Sequence, residues 1–262
     1  MKLSPFIRFS LVLHLLLGVL LLARPDWWQA LLAIFVLDHL VLGLAGMWPK
    51  STLLGANITH LPAESVAQRE IAITIDDGPD PAVTPRVLEI LAAHGAVASF
   101  FCIGERAAAH PELVRAMVAA GHAVENHGMR HRNHLAFSGP RGWRREIDDA
   151  QQVLAQLAGT PPRFYRALAG LRNPFLDPVL QQLGLRLASW SQRGFDTRCA
   201  NAGEVLARLK QGLAPGAILL LHDGHAARDT AGTPIILSVL PALLDELAAR
   251  QLTPVTLRSR LP

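Results

Sequence analysis

Ile71-Ala72-Ile73-Thr74-Ile75-Asp76-Asp77-Gly78-Pro79 is the stretch that decides the fold. Its first five residues are a short, apolar, β-branched run of the kind that fills a strand buried on both faces. The run stops abruptly on two carboxylates and a Gly-Pro turn. A buried strand whose carboxyl end delivers polar side chains is the building unit of α/β folds, which collect functional groups at that end. Adjacent strand residues point to opposite faces, so Asp76 and Asp77 share a pocket only if the turn redirects the second. Taken alone, the quartet reads equally well as an acidic turn.

From Glu70 onward, short β-branched runs alternate with helical ones. Seven strands are expected, at 71–76, 97–102, 122–125, 163–166, 186–190, 217–221 and 253–257. The helices between them are well punctuated. Thr84 is a candidate cap with Pro85 in the first turn, Gly95 ends that helix, Pro111 opens the next and Gly121 closes it. Longer amphipathic helices are expected at 143–157 and 237–249. Seven β-α units are one fewer than a complete eight-stranded barrel, so the predicted architecture is α/β, a distorted (β/α)7 barrel. A doubly wound open sheet is the alternative. No internal repeat or second globular domain is visible, and residues 70–262 read as one domain preceded by a linker at 49–69.

Four more polar clusters fall at the ends of these strands. Asn126-His127-Gly128-Met129-Arg130-His131 carries two histidines four apart, a spacing that with one carboxylate supplies three metal ligands and leaves room for water and substrate. His134 reads as a surface residue. Arg166 ends the fourth strand in Tyr165-Arg166-Ala167-Leu168-Ala169-Gly170, where a buried arginine neutralises a carboxylate. Asp196 lies on a loop just past the fifth, and Leu219-Leu220-Leu221-His222-Asp223 brings a histidine to the rim. Each cluster has a purely structural explanation; their joint occurrence at strand ends points to one catalytic pocket.

These five stretches resemble the motifs of polysaccharide deacetylases with the NodB homology domain, the carbohydrate esterase family 4 type. The resemblance covers roughly residues 70–257. It implies a distorted β/α barrel and a metal-dependent hydrolase that removes N-acetyl groups from the amino sugars of a polysaccharide or glycan. It also implies the roles. Asp76 is the general base, with Arg166 paired to it, and His222 is the general acid, tuned by Asp196. Asp77, His127 and His131 are the metal ligands, with zinc the default divalent ion for such a set. Leu220 lines the acetyl pocket, and Ala169 offers its backbone N–H to the oxyanion. The third motif lacks the usual prolines and the aromatic residue before glycine, where Ala169 stands, and the fourth lacks Asp-x-x-Asp-Trp. A related reading keeps the site but makes the substrate a lipid-linked sugar carrying a formyl or acetyl group. A catalytically inactive sugar-binding scaffold is the remaining alternative, and the retained polar set argues against it.

The residues before 49 are of another kind. The 11–23 run is apolar except for His14 and is nearer a signal-peptide core than a full span, whereas 30–47 is long enough to cross a membrane. Trp27, Trp28 and Trp48 sit at its two ends, where interfacial aromatics belong. No small-x-small cleavage pattern follows the first run. Residues 1–48 are therefore expected to form a transmembrane helical hairpin rather than a cleaved leader. Asp38 falls mid-span, where an aspartate costs roughly 2.5–3.5 kcal/mol, and equal counting from a turn near Asp26 makes His14 its expected partner. Lys2 and Arg8 precede the hairpin, Arg24 lies in its turn, and Lys50 and Arg69 follow it, which favours both ends and the catalytic domain on the cytoplasmic side of a bacterial inner membrane. A single span would put the domain on the periplasmic side instead.

The formal charge of +4 comes without any basic run interleaved with aromatics, which excludes nucleic acid as a partner in favour of a carbohydrate and the membrane. Cys102 and Cys199 stand far apart in no metal-like spacing and read as small buried hydrophobes.

Overall fold

In the computed structural model, which describes residues 2–132 and 134–261, a curled parallel sheet is wrapped by helices on its outer face. Its strands are β1 (Glu70–Asp76), β2 (Ser99–Cys102), β3 (Ala123–Asn126), β4 (Phe164–Tyr165), β5 (Arg186–Leu187), β6 (Gln192–Arg193), β7 (Ile218–His222) and β8 (Thr253–Val255). Spatial order is β5-β4-β3-β2-β1-β7-β6, with β8 paired to the start of β1. Every strand pair is parallel. Pairing Thr74 with Ser99 and Leu220, and Asp76 with His222, brings the carboxyl ends of β1, β2 and β7 to one rim.

Period-two alternation explains which side chains meet. Ile71, Ile73 and Ile75 of β1 join Phe100, Leu219 and Leu221 in the outer core beneath the helices. Ala72, Phe101, Ile218 and Leu220 face the concave side. Thr74, Asp76 and His222 share that concave face by parity with these residues. All seven residues of β1 are buried, as a central parallel strand requires.

Several expectations need correction here. The strand expected at 186–190 ends at Leu187, and Gln192–Arg193 forms a separate strand on β7, so there are eight strands rather than seven. The chain leaves the sheet between them because Ser189 donates its N–H to Ile58, outside the main sheet, at 2.8 Å. The stretch 49–69 is also more than a tether, since Ile58 bridges Ala188 and His60 bridges Ala217. Thr84 begins its helix but caps nothing within it; its hydroxyl accepts from the Asp80 N–H and donates to Asp223. Cys102 is buried as expected, whereas Cys199 is half-buried with its thiol toward Glu204.

The N-terminal segment forms two helices long and apolar enough to cross a membrane, α1 (Pro5–Ala23) and α2 (Trp28–Met47), joined at residues 24–27. α1 is longer than its apolar run, because Ser4 caps it at Ile7 and Pro5 occupies its first position. His14 and Asp38 do come to one depth, but at 3.8 Å they are beyond hydrogen-bond reach. Ser10 is the partner instead, donating its hydroxyl to Asp38 at 2.6 Å, while His14 donates to the Ser10 carbonyl. The base of the hairpin touches the sheet rim. Arg172 N–H donates to the Gly46 carbonyl at 3.1 Å, Ser189 Oγ to Pro49 at 2.8 Å and Lys50 Nζ to Ser191 at 2.6 Å.

Candidate active site

The sheet rim surrounds a cleft of about 790 Å³ into which Asp76, Asp77, His127, His131, Ala169, Leu220 and His222 all project. A second cavity of about 700 Å³ lies between α1 and the helix Pro140–Ala158, but its walls are mostly apolar and hold no such cluster.

Asp77 turns into the cleft by leaving the strand. Its φ of 76° is left-handed, a conformation aspartate tolerates better than most residues, and this breaks the alternation that would aim it outward. Its Oδ1 lies 3.1 Å from His127 Nε2 and 2.9 Å from His131 Nε2. Nevertheless Oδ1 is a buried oxygen without a properly directed hydrogen bond. His127 Nδ1 donates to the Arg166 carbonyl at 2.8 Å, which leaves the Nε2 lone pair pointing at the carboxylate. Three electron-pair donors thus converge without sharing protons, the arrangement expected of ligands round a cation. The residues fit a divalent metal ion. Burial opposes the charge on Asp77, yet contacts to His127, His131 and His225 hold its carboxyl far below the usual range. Burial lowers His131, whereas for His127 the charges of Asp76 and Asp77 outweigh burial and raise it.

Asp76 stands beside this cluster, with Oδ2 3.9 Å from His127 Nε2. Its Oδ1 accepts from Arg166 Nη1 at 2.6 Å. Arg166 is wholly enclosed. It also donates to Thr74 Oγ1 at 2.7 Å, Ser189 O at 2.8 Å and Ala188 O at 3.1 Å, and lies 4.0 Å over the Phe101 ring. Such a pair is held for its placement, since stripping one partner from a buried pair costs about 3–5 kcal/mol.

On the opposite side His222 is bound by Asp196, which accepts from its Nδ1 at 2.9 Å and from its backbone N–H at 2.7 Å. Burial alone would lower the imidazole, but the Asp196 charge and hydrogen bond overcome it, and His222 is pushed up to about 9. Ala169 sits in a left-handed turn with φ 51°, and among the described residues its N–H donates to no backbone carbonyl. Of the nine site residues singled out in the sequence, seven line this cleft, and Arg166 and Asp196 are buried behind it, paired with Asp76 and His222, while His134 is exposed on the surface.

Sequence reading missed several supports. His225 Nδ1 lies 3.0 Å from Asp77 Oδ2, and its position three residues beyond His222 was the available signal. Glu146, in the middle of an amphipathic helix, accepts from the N–H groups of Arg130 and His131 and so shapes the histidine loop. Asn126 Oδ1 accepts from Gly128 N–H at 2.8 Å in the same loop.

Comparison with known proteins identifies relatives of the chain. The polysaccharide deacetylase family profile matches residues 63–188. The chain is 37% identical over 158 residues to a chitooligosaccharide deacetylase of Azorhizobium caulinodans, covering 60% of this chain and 75% of the relative. It is 28% identical over 180 residues to a peptidoglycan-N-acetylglucosamine deacetylase of Bacillus cereus, covering 66% and 63%. Among solved structures, a family 4 carbohydrate esterase from Streptomyces lividans superposes with a TM-score of 0.64 at 30% identity over 71% of this chain and 91% of that one. A family 4 pseudoenzyme from Bacillus anthracis reaches a TM-score of 0.69 at 19% identity over 79% of this chain and 69% of that one, a likeness of fold alone. Sequence, strand order and site geometry lead to one statement: this chain belongs to the polysaccharide deacetylase family.

Proposed function

We propose that the chain is a metal-dependent hydrolase that removes N-acetyl groups from the amino sugars of a glycan. One observation carries the reading: the ligand atoms of Asp77, His127 and His131 lie within 4.8 Å of one another, between a buried carboxylate and a buried imidazole. A divalent ion on these three, zinc by ligand type, supplies Lewis acidity toward water and the acyl oxygen.

The protein's own groups divide the remaining work. Asp76 takes the proton of the attacking water on Oδ2, because Oδ1 is occupied by Arg166. Ala169 N–H faces the developing oxyanion, a contact worth about 3–4 kcal/mol when a comparable donor is deleted. His222 gives its Nε2 proton to the departing amine, since Nδ1 is held by Asp196. Leu220, at the cleft floor, contacts the acyl methyl.

α1 and α2 anchor the domain to a bacterial inner membrane, with the flanking basic residues on the cytoplasmic side. A second reading, a deacetylase or deformylase of a lipid-linked sugar, draws on the contact of Pro49 with Gly170, which sets the membrane exit of α2 against the Ala169 loop. The purified protein tests both. Chelator-sensitive acetate release from chitotetraose, restored by zinc, supports the first reading, and formate release from a formylated lipid-linked sugar would replace it with the second.

A further inference from the structure

We propose that Arg193 and Arg198 form an anion subsite in the cleft that takes a phosphate group carried by the amino-sugar substrate. This specifies the substrate of the activity proposed above and rests on that reading. The acidic side chains of the cleft are already committed. Asp76 pairs with Arg166, Asp77 faces the imidazoles, Asp196 binds His222, and Glu105 binds Arg130 at 2.7 Å. Arg106 is committed as well, donating to the carbonyls of Asp77 and Gly224.

Arg193 is not. Among the described residues its guanidinium makes no hydrogen bond and no ion pair, and its Nε is buried without an acceptor. The group lies 4.4 Å from the Phe195 ring and 5.4 Å from the Trp190 ring. Contacts of this kind fix the plane of an arginine while leaving its in-plane donors for a ligand. The turn that follows supports this placement. Gly194 has no space for a Cβ, which would meet Val205 at 2.6 Å, and Phe195 adopts a left-handed φ of 61°.

Arg193 lies on β6 in register with Leu220 of β7, two residues before His222, so it stands beside the acyl end of the cleft. Arg198 lines the same cleft five residues on and likewise has no side-chain partner among the described residues. Burial pushes Arg193 down; the Asp196 charge opposes this, the Arg198 charge adds to it, and Asp76 opposes it further. Two cations that face one space, with no ion-pair partner of their own among the described residues while Asp196 and Asp76 are bound to His222 and Arg166, are satisfied by an anion. A phosphate has enough oxygens to receive both forks, whereas the hydroxyls of a neutral chitooligosaccharide neutralise neither.

The phosphate can come from a free sugar phosphate or from a lipid-phosphate carrier, and direct binding separates the two. Full-length, zinc-loaded Asp76→Asn protein in detergent is titrated with N-acetylglucosamine 1-phosphate and with methyl N-acetylglucosaminide. The phosphate sugar is expected to bind about tenfold to a hundredfold more tightly, the range for hydrogen bonds to a charged partner, and inorganic phosphate should compete. Adding Arg193→Gln should abolish the discrimination, with Arg193→Lys keeping part of it. Zinc content checks that each variant site is formed, and Arg198→Gln carries the same readout should Arg193→Gln fail to fold. Equal affinity for the two sugars, or unchanged discrimination in Arg193→Gln and Arg198→Gln, overturns the proposal. A short polyprenyl-phosphate N-acetylglucosamine in micelles that outcompetes the free phosphate assigns the lipid source; equal binding assigns the soluble one. Failure of acetate release with discrimination intact would overturn the activity and leave the subsite standing.

Discussion

β1 and β7 run side by side, Asp76 opposite His222, and each is followed at once by an aspartate, Asp77 after β1 and Asp223 after β7. Both of these acids are buried, at 4% and 1% exposure. Their charge states nonetheless diverge. Three imidazoles hold Asp77 far below the usual carboxylate range. Asp223 receives the Thr84 hydroxyl and its own backbone N–H but no imidazole, its Oδ1 has no hydrogen-bond partner, and burial, with the Asp77 charge adding to it, pushes it up to about 7. Burial alone therefore does not decide whether a carboxyl stays ionised; the imidazoles around Asp77 and their lack around Asp223 do.

The largest effect should come from removing the ligand side of this comparison. Asp77→Ala and His127→Ala should each lose bound metal, measured by elemental analysis, and lose activity by about a thousandfold or more. Asp76→Asn should be nearly as inactive, by about 10²–10⁴-fold, yet keep its metal. That split between metal content and turnover separates the two neighbouring aspartates. Full activity in Asp76→Asn would remove the general-base role.

A smaller effect belongs to the acid side. In the proposed role of general acid His222 donates only while protonated, so activity should fall as pH rises through about 9. Asp196→Asn removes the charge responsible, and the alkaline limb should move down toward the ordinary 6.5, costing about tenfold or more near pH 8. The same raised group links to stability. Its contribution is complete below 6.5 and is lost as pH rises through about 9, so wild type should lose more melting temperature over that interval than Asp196→Asn. An unshifted limb in Asp196→Asn would show that another group sets it.

Much of this arrangement was legible in the sequence, for reasons visible in particular residues. β1 and β7 are apolar runs ending on polar doublets, and central parallel strands must end that way at a functional rim. Asp76, Asp77, His127, Arg166, Asp196 and His222 could be singled out because each lies at or just past such an end. β6 could not, since two residues carry no periodicity and its pairing with β7 spans a distant part of the chain. Glu146 was hidden for a different reason: a glutamate inside an amphipathic helix looks solvated until the histidine loop folds over it. The Asp38 partner was misassigned because depth in a hairpin can be counted, while the rotation of each helix cannot, and rotation places Ser10 rather than His14 at hydrogen-bond distance.

The smallest expected effect tests Asp223 itself. Its carboxyl is held up at about 7 in the folded protein against 3.8 for an ordinary aspartate, so the native state binds a proton that the unfolded chain releases. Between these values each rise in pH favours the unfolded chain, and above about 7 the full penalty is present. Asp223→Asn keeps the side-chain shape, stays neutral and escapes the penalty. It should therefore match wild type near pH 4 and exceed it above pH 7 by a few kcal/mol at most, read as a higher melting temperature. Activity should change little, because Asp223 does not line the cleft. A variant less stable than wild type at every pH would mean that the proton on Asp223 matters less than the Thr84 hydrogen bond it receives, and that the contrast with Asp77 is one of hydrogen bonding rather than charge.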